Sequence, residues 1–238
     1  MSDSLYKGCT IPARLPFIEA AAKYIIKELG LDIKDMGERP CCMEPVGLKS
    51  LDHDSWLDVS SYIRSKAEGR LITLCDGCTV SLECSAKEKG SDADIIGFME
   101  IMHENLDAIR KKVVAPIKLK LALFPGCHSE SILSSKGKDA VGMMSDILKT
   151  IGGEPMTPSE NLCCGGGVSS IDDELSKAIL NESVESFKAT GASGVVTSCP
   201  FCFMQFDMVA RYRTYSIVEL TAKAMGWDAD TEKFHRGK

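Results

Sequence analysis

At 238 residues and a formal net charge of −6, the chain lacks the basic footprint that nucleic-acid binding leaves. Its 44% hydrophobic and 26% charged residues are those of a soluble globular protein, large enough for one domain or two. No apolar run approaches the roughly 18–20 residues of a membrane span. The start Met1-Ser2-Asp3-Ser4-Leu5-Tyr6 lacks the features of a signal peptide, so a cytoplasmic protein is expected.

In chain order, a short strand Leu5-Tyr6-Lys7-Gly8-Cys9 is followed by an amphipathic helix with Phe17, Ala21, Ile25 and Leu29 on one face and Gly30 as its stop. A second short strand leads to Cys41-Cys42, a helix is predicted from about Trp56 to Ala67, and Gly69 precedes a buried strand Leu71-Ile72-Thr73-Leu74. Cys75-x-x-Cys78 then stands where that strand turns into a third helix. Residues 91–114 read as a helical connector, with Ile95, Phe98, Ile101, Met102 and Leu106 on one side. The same order then returns. Leu121 to Cys127 is a strand, Ala140, Met143, Met144, Ile147 and Ile151 mark a helix face, and Cys163-Cys164 ends the next loop. A helix over Glu174–Ala189, Gly191, the strand Gly194–Ser198 and Cys199-x-x-Cys202 complete the copy. Lys118–Lys120 reads as a solvated strand edge, and Val114-Ala115-Pro116 as the boundary, giving units 1–116 and 117–238.

Strand–helix alternation predicts an α/β fold: two pseudo-symmetric Rossmann-like halves, each a small parallel sheet flanked by helices. Parallel open sheets gather ligands beyond the carboxyl ends of their strands, where all three cysteine groups of each half fall.

Ten of the eleven cysteines obey this repeat: Cys9, Cys41, Cys42, Cys75 and Cys78, then Cys127, Cys163, Cys164, Cys199 and Cys202. Five thiols per copy at nearly equal intervals point to two equivalent metal or cluster sites made by duplication. A structural zinc ion needs four ligands, usually as two close pairs, whereas adjacent cysteines readily serve two irons of an iron–sulfur cluster. Gly8, Gly126 and Gly165-Gly166-Gly167 would let the backbone approach inorganic sulfide, and amides at the helix starts after Cys75 and Cys199 would favour an anionic cluster. A zinc site, a disulfide scaffold and a dithiol oxidoreductase are the competing readings. A reducing compartment weighs against disulfides, and a single Cys-x-x-Cys would leave eight patterned cysteines unused. Cys84 lies outside the repeat and reads as a small packed residue.

With these residues in view, nearly the whole chain resembles the B-type subunits of heterodisulfide reductase, a family whose mark is a duplicated CCG signature. The likeness extends to Gly8-Cys9 with Pro12-x-Arg14-x-Pro16, Leu74-Cys75-Asp76-Gly77-Cys78, Gly126-Cys127-His128 and Cys199-Pro200-Phe201-Cys202. It implies two CCG domains, each holding a noncubane [4Fe–4S] cluster. Cys9, Cys41, Cys42, Cys75 and Cys78 would hold one; Cys127, Cys163, Cys164, Cys199 and Cys202 the other. It implies reduction of a disulfide of the CoM-S-S-CoB type to two thiols between the clusters. Electrons would come from a small C-type partner with cubane [4Fe–4S] clusters and, beyond it, from a flavin-containing, electron-bifurcating A-type partner.

No flavin or NAD is expected in this chain, because no glycine-rich dinucleotide fingerprint occurs; Gly165-Gly166-Gly167 follows cysteines rather than a strand. The sequence departs from the family at three places. Met43 follows the first cysteine pair where the second pair is followed by Gly165, Phe203 stands where histidine is usual, and the segment between the halves is short. The resemblance therefore also admits a relative that serves another disulfide or thiol.

Arg14, in the loop after Cys9, is a candidate to meet an anionic substrate group, against a surface or capping role. His128, beside a proposed ligand, is a candidate proton or hydrogen-bond donor, against a structural role. His53 and His103 read as surface residues, and Met143 and Met144 as core filler. Two competing functions are a non-catalytic electron-transfer subunit of a hydroxyacid oxidase or quinone reductase complex, and a zinc-stabilised assembly factor.

Overall fold

Short aliphatic runs become strands here because helices cover both of their faces, as parallel sheets require. The computed structural model describes residues 2–43, 48–160 and 163–237. The first half runs β1 (Asp3–Tyr6), α1 (Thr10–Arg14), α2 (Pro16–Leu29), β2 (Ile33–Asp35), α3 (Leu48–Leu51), α4 (His53–Arg64), β3 (Leu71–Thr73), α5 (Asp76–Glu88), β4 (Ile95–Gly97), α6 (Phe98–Glu104) and α7 (Leu106–Lys112). The second runs β5 (Lys120–Leu123), α8 (Cys127–Ser135), α9 (Ala140–Thr150), β6 (Glu154–Met156), α10 (Asp173–Ala189), β7 (Gly194–Thr197), α11 (Pro200–Met204), a π-helical turn (Gln205–Val209), β8 (Thr214–Ser216) and α12 (Ile217–Ala224).

Both sheets are four-stranded and wholly parallel, in the orders β2-β1-β3-β4 and β6-β5-β7-β8. The expected α/β class and paired halves are therefore present. Each half carries one strand more than the periodicity predicts. Ile95–Gly97 pairs with β3, so the stretch read as a helical connector begins as an edge strand and only then becomes α6 and α7. Thr214–Ser216 is its counterpart beside β7. Both strands run straight into a helix without a loop, so Ile95 and Phe98 resemble one helical stripe in the sequence. At the join, the Gly97 amide donates to the Glu100 carboxylate at 3.1 Å, and this cap separates strand from helix. Cys127 likewise opens α8 rather than ending a strand.

The halves pack through equivalent pairs: α2 against α12 and α9 against α6, then α5 against α8 and α11 against α1. Such pairing describes a pseudo-two-fold. One apolar core runs through both halves, from Ile25 and Ile72 to Ile147, Val196 and Leu220. Polar ties reinforce the seam. Tyr24 donates its hydroxyl to the Met225 carbonyl at 3.1 Å, and Lys138 pairs with the buried Glu100 at 2.6 Å. The second half adds its own aromatic cluster, Phe124, Phe187 and Phe206, meeting edge to face at 4.9–5.6 Å. Each such contact contributes about 0.5–1.5 kcal/mol beyond area burial. Met143 and Met144 are buried core residues, His53 and His103 lie near the surface, and Lys118 is exposed. Among the described residues no helix is long and apolar enough to cross a membrane.

Candidate metal centre

Parallel strands bring their carboxyl ends to one edge, so the loops after β1, β2 and β3 converge, as do those after β5, β6 and β7. The thiols on these loops touch in sequence. Cys9 lies 3.2 Å from Cys41, and Cys42 lies 3.2 Å from Cys78. Cys41 adjoins Cys42 in sequence and Cys78 couples electrostatically to Cys75, which links all five. The second set repeats the order: Cys127 to Cys163, Cys163 to Cys164, Cys164 to Cys202, and Cys202 to Cys199. The two sets also approach each other at Cys75 and Cys199, both buried, whose thiols perturb one another's ionisation.

Ten thiols thus form one electrostatically coupled path, running from exposed Cys9 through buried Cys75 and Cys199 to exposed Cys127. Neither quintet is scattered. The sulfurs string out rather than close on a point, and among the described residues no three metal-binding side chains converge on a single-ion position. Cys84, half-buried on α5, stands apart from the path.

Local structure explains why these loops hold their shape. Gly8 (φ 71°) and Gly126 (φ 92°) occupy equivalent left-handed positions, and an added Cβ would sit 3.0 Å from the Cys78 sulfur and 3.2 Å from the Cys202 sulfur. A side chain there would fill the space beside the thiols. The residue after each cysteine pair is also left-handed: Met43 at φ 64° and Gly165 at φ 75°. In that conformation its amide points back at the first sulfur of the pair, 3.3 Å from Cys41 and 3.4 Å from Cys163. Glycine in a Cys-Cys-Gly motif serves this turn, and the first copy adopts it with methionine at a steric cost. Met43→Gly is expected to raise stability by about 0.5–1 kcal/mol, read as an upward shift in the midpoint of urea unfolding.

Buried hydroxyls pin the same loops. Ser81 accepts from the Trp56 indole at 2.8 Å and donates to the Cys42 carbonyl at 2.9 Å. Ser183 donates to the Cys163 carbonyl at 2.9 Å, and Ser176 to that of Gly165 at 3.0 Å. The Tyr6 hydroxyl donates to Pro40 at 2.7 Å, just before the first pair. Burial and the surrounding thiols push the Tyr6 phenol well above its usual range.

The thiols polarise one another. Hydrogen bonds from Cys127 and Cys164 hold Cys163 well below the ordinary thiol range, helped by the Gly165 amide and the charge of His128. Cys164 and Cys127 are correspondingly raised. A cavity of about 80 Å³ adjoins this set, lined among others by Cys127, His128, Cys163, Gly166 and Phe201. His128 sits at the start of α8, and an added Gly77 Cβ would lie 3.4 Å from its ring nitrogen, so it faces the seam between the sets. Arg14 is exposed in the last turn of α1.

Asp76 was not among the residues the sequence singled out. It is buried beside Cys75 and accepts from the Ser198 hydroxyl at 2.7 Å, and the Ser129 hydroxyl also favours its charged form. Burial, then the Cys199 charge, raises its carboxyl to about 7 against those hydrogen bonds. The available signal was the asymmetry of the repeat, with Asp76 after Cys75 but Pro200 after Cys199.

The CCG family model, a cysteine-rich domain, matches this chain twice, at residues 4–83 and 121–207. The chain is 28% identical to the B component of the Ferredoxin/F(420)H(2)-dependent CoB-CoM heterodisulfide reductase of Methanosarcina acetivorans, covering 86% of this chain and 79% of that one. The B component of the Ferredoxin:CoB-CoM heterodisulfide reductase of Methanosarcina mazei is 26% identical over the same shares. This chain is also 28% identical to the 8-methylmenaquinol:fumarate reductase membrane anchor subunit of Wolinella succinogenes, over 86% of this chain and 81% of that one. Among solved structures, a hypothetical protein from Helicobacter pylori shares the fold at TM-score 0.72 and 12% identity, and this chain, 99% covered, spans about half (51%) of it. The resemblance to the B-type subunits of heterodisulfide reductase read from the cysteine repeat therefore holds, and the chain belongs to the CCG cysteine-rich domain family.

Proposed function

We propose that this chain is an iron–sulfur subunit of a heterodisulfide reductase-like complex, with the join between its two CCG domains at Pro116. In this reading Cys9, Cys41, Cys42, Cys75 and Cys78 hold one [4Fe–4S] cluster of noncubane type. Cys127, Cys163, Cys164, Cys199 and Cys202 hold the other. The observation that carries the reading is the coupled path of ten thiols, with contacts of 3.2 Å at Cys9–Cys41 and Cys42–Cys78. The residues fit such a group: five soft donors per half, with Gly8 and Gly126 at equivalent backbone positions where a Cβ would crowd the sulfurs.

Cleaving a disulfide to two thiols takes two electrons and two protons, and two bound clusters would supply the electrons one each. The protein's part is to shape the approach. The cavity beside Cys127, Cys163 and Phe201 would admit a small substrate to the second set, and His128 at its edge can hold a proton there. Arg14, exposed beyond Cys9, would meet an anionic group. Electrons would come from a small partner with cubane clusters, itself served by a flavin-containing one, in the cytoplasm.

The relative from Wolinella succinogenes favours a second reading, an electron-transfer component of a quinol-linked complex. Protein purified without oxygen separates the possibilities. About eight irons per chain with matching sulfide are expected, together with disulfide-dependent oxidation of a reduced viologen dye. Full iron without such turnover would leave the carrier reading, and zinc with little iron would overturn both.

A further inference from the structure

The contact between the two cysteine sets is secured from one side only. Asp76 follows Cys75 in the first half, yet its hydrogen-bond partners lie in the second. Ser198 immediately precedes Cys199 and donates to the carboxylate at 2.7 Å, and Ser129 lies two residues beyond Cys127. The Ser198 hydroxyl also faces the Pro125 carbonyl at 3.0 Å, next to Gly126, where an added Cβ would lie 3.2 Å from the Cys202 sulfur. A single carboxylate therefore draws together the loops of Cys75, Cys127 and Cys199. The equivalent residue across the pseudo-two-fold is Pro200, which has no side-chain group to return the grip. The rest of the seam is held elsewhere, by Lys138 with Glu100, Lys136 with Glu83, and α2 against α12. Asp76 is thus placed to set local spacing rather than to hold the halves together.

We propose that Asp76 is a positioning residue, clamping the Cys75 and Cys199 loops so that the two sets keep a fixed separation. The proposal rests on the reading that each set holds an iron–sulfur cluster, and its test keeps the two separate. In the full chain, purified without oxygen and chemically reduced, the readout is the magnetic interaction between the two clusters by electron paramagnetic resonance. D76A is expected to keep wild-type iron and sulfide but lose that interaction. D76N keeps it, because the amide can still hydrogen-bond both hydroxyls without the charge. The double variant S129A/S198A, which leaves Asp76 in place, is expected to reproduce D76A. A D76A spectrum identical to wild type overturns the proposal, and so does a D76N as impaired as D76A.

Should the wild-type chain contain no iron and sulfide, the functional reading fails instead, and the clamp is tested on the thiols themselves. Diamide oxidises Cys75 and Cys199 to a disulfide, taking up the two hydrogens as the S–S bond forms, and peptide mapping follows the product. D76A is expected to slow this step about five-fold, the worth of one net hydrogen bond, whereas an unchanged rate overturns the clamp.

Discussion

Replacing Cys199 with alanine is expected to cost the protein one whole cluster, with iron falling from about eight to about four per chain. Cys199 is coupled both to Cys202 in its own set and to Cys75 in the other, so its removal breaks the path at the centre. It is buried, and water cannot readily take its place. Disulfide-dependent oxidation of reduced viologen should fall to background, because two electrons could no longer be delivered from two sites. Cys84→Ala is the matched control. Its thiol sits half-buried on α5, outside the path, and its loss should leave iron content and turnover unchanged. Equal iron in wild type and C199A would remove Cys199 from the ligand set. Loss of iron in C84A would show that the repeat does not define it.

The contrast between Cys199 and Cys84 was legible in the sequence, because a repeat separates patterned thiols from incidental ones. The sheets were legible for a related reason: left-handed glycines at 30 and 191 follow helix ends, and left-handed Gly69 stands just before β3. What escaped was local and short. Strands β4 and β8 are three residues each and flow into helices, leaving no turn signal to divide them. Asp76 escaped because its partners, Ser129 and Ser198, lie 53 and 122 residues away in sequence, and no period connects an acid to a distant hydroxyl. Met43 was seen as a departure from Cys-Cys-Gly, but only its backbone shows that the turn is kept and the glycine's ease is not. Sequence thus reports what repeats, while contacts across the pseudo-two-fold require the fold.

The largest stability effect is expected far from the thiol path, at His235. The stretch after α12 returns to pack on α11 and α12, so that the imidazole lies between two buried carboxylates. Its Nε2 is 3.2 Å from Glu219 and its Nδ1 is 3.7 Å from Asp207. The same Asp207 accepts the amides of Arg236 at 2.6 Å and Gly237 at 3.0 Å, while Thr231 and Lys223 face Glu219. The rings of Phe17, Phe203 and Tyr215 enclose the imidazole, so a first-half helix takes part in the closure. Burial opposes charging, but the carboxylates of Asp207 and Glu219 prevail and raise its pKa to about 9. Because the folded value exceeds the unfolded one, this stabilisation is complete below the ordinary imidazole range and disappears as pH rises through about 9. Glu219 behaves oppositely. Its pKa is lowered, so its contribution is present above the ordinary carboxylate range and is lost on acidification.

His235→Ala should therefore cost about 3 kcal/mol near neutral pH, since it leaves two carboxylates buried without their shared cation. The pH profile gives the sharper check. Wild-type stability should be flat between the carboxylate and imidazole ranges and fall on the alkaline side. H235A should lose that alkaline fall and instead gain stability as pH drops and Glu219 takes a proton. Adding Glu219→Gln to H235A should recover part of the loss, because a neutral amide needs no counter-charge. Urea unfolding across this pH range decides the matter, and an H235A profile parallel to wild type would show that the imidazole carries no charge there.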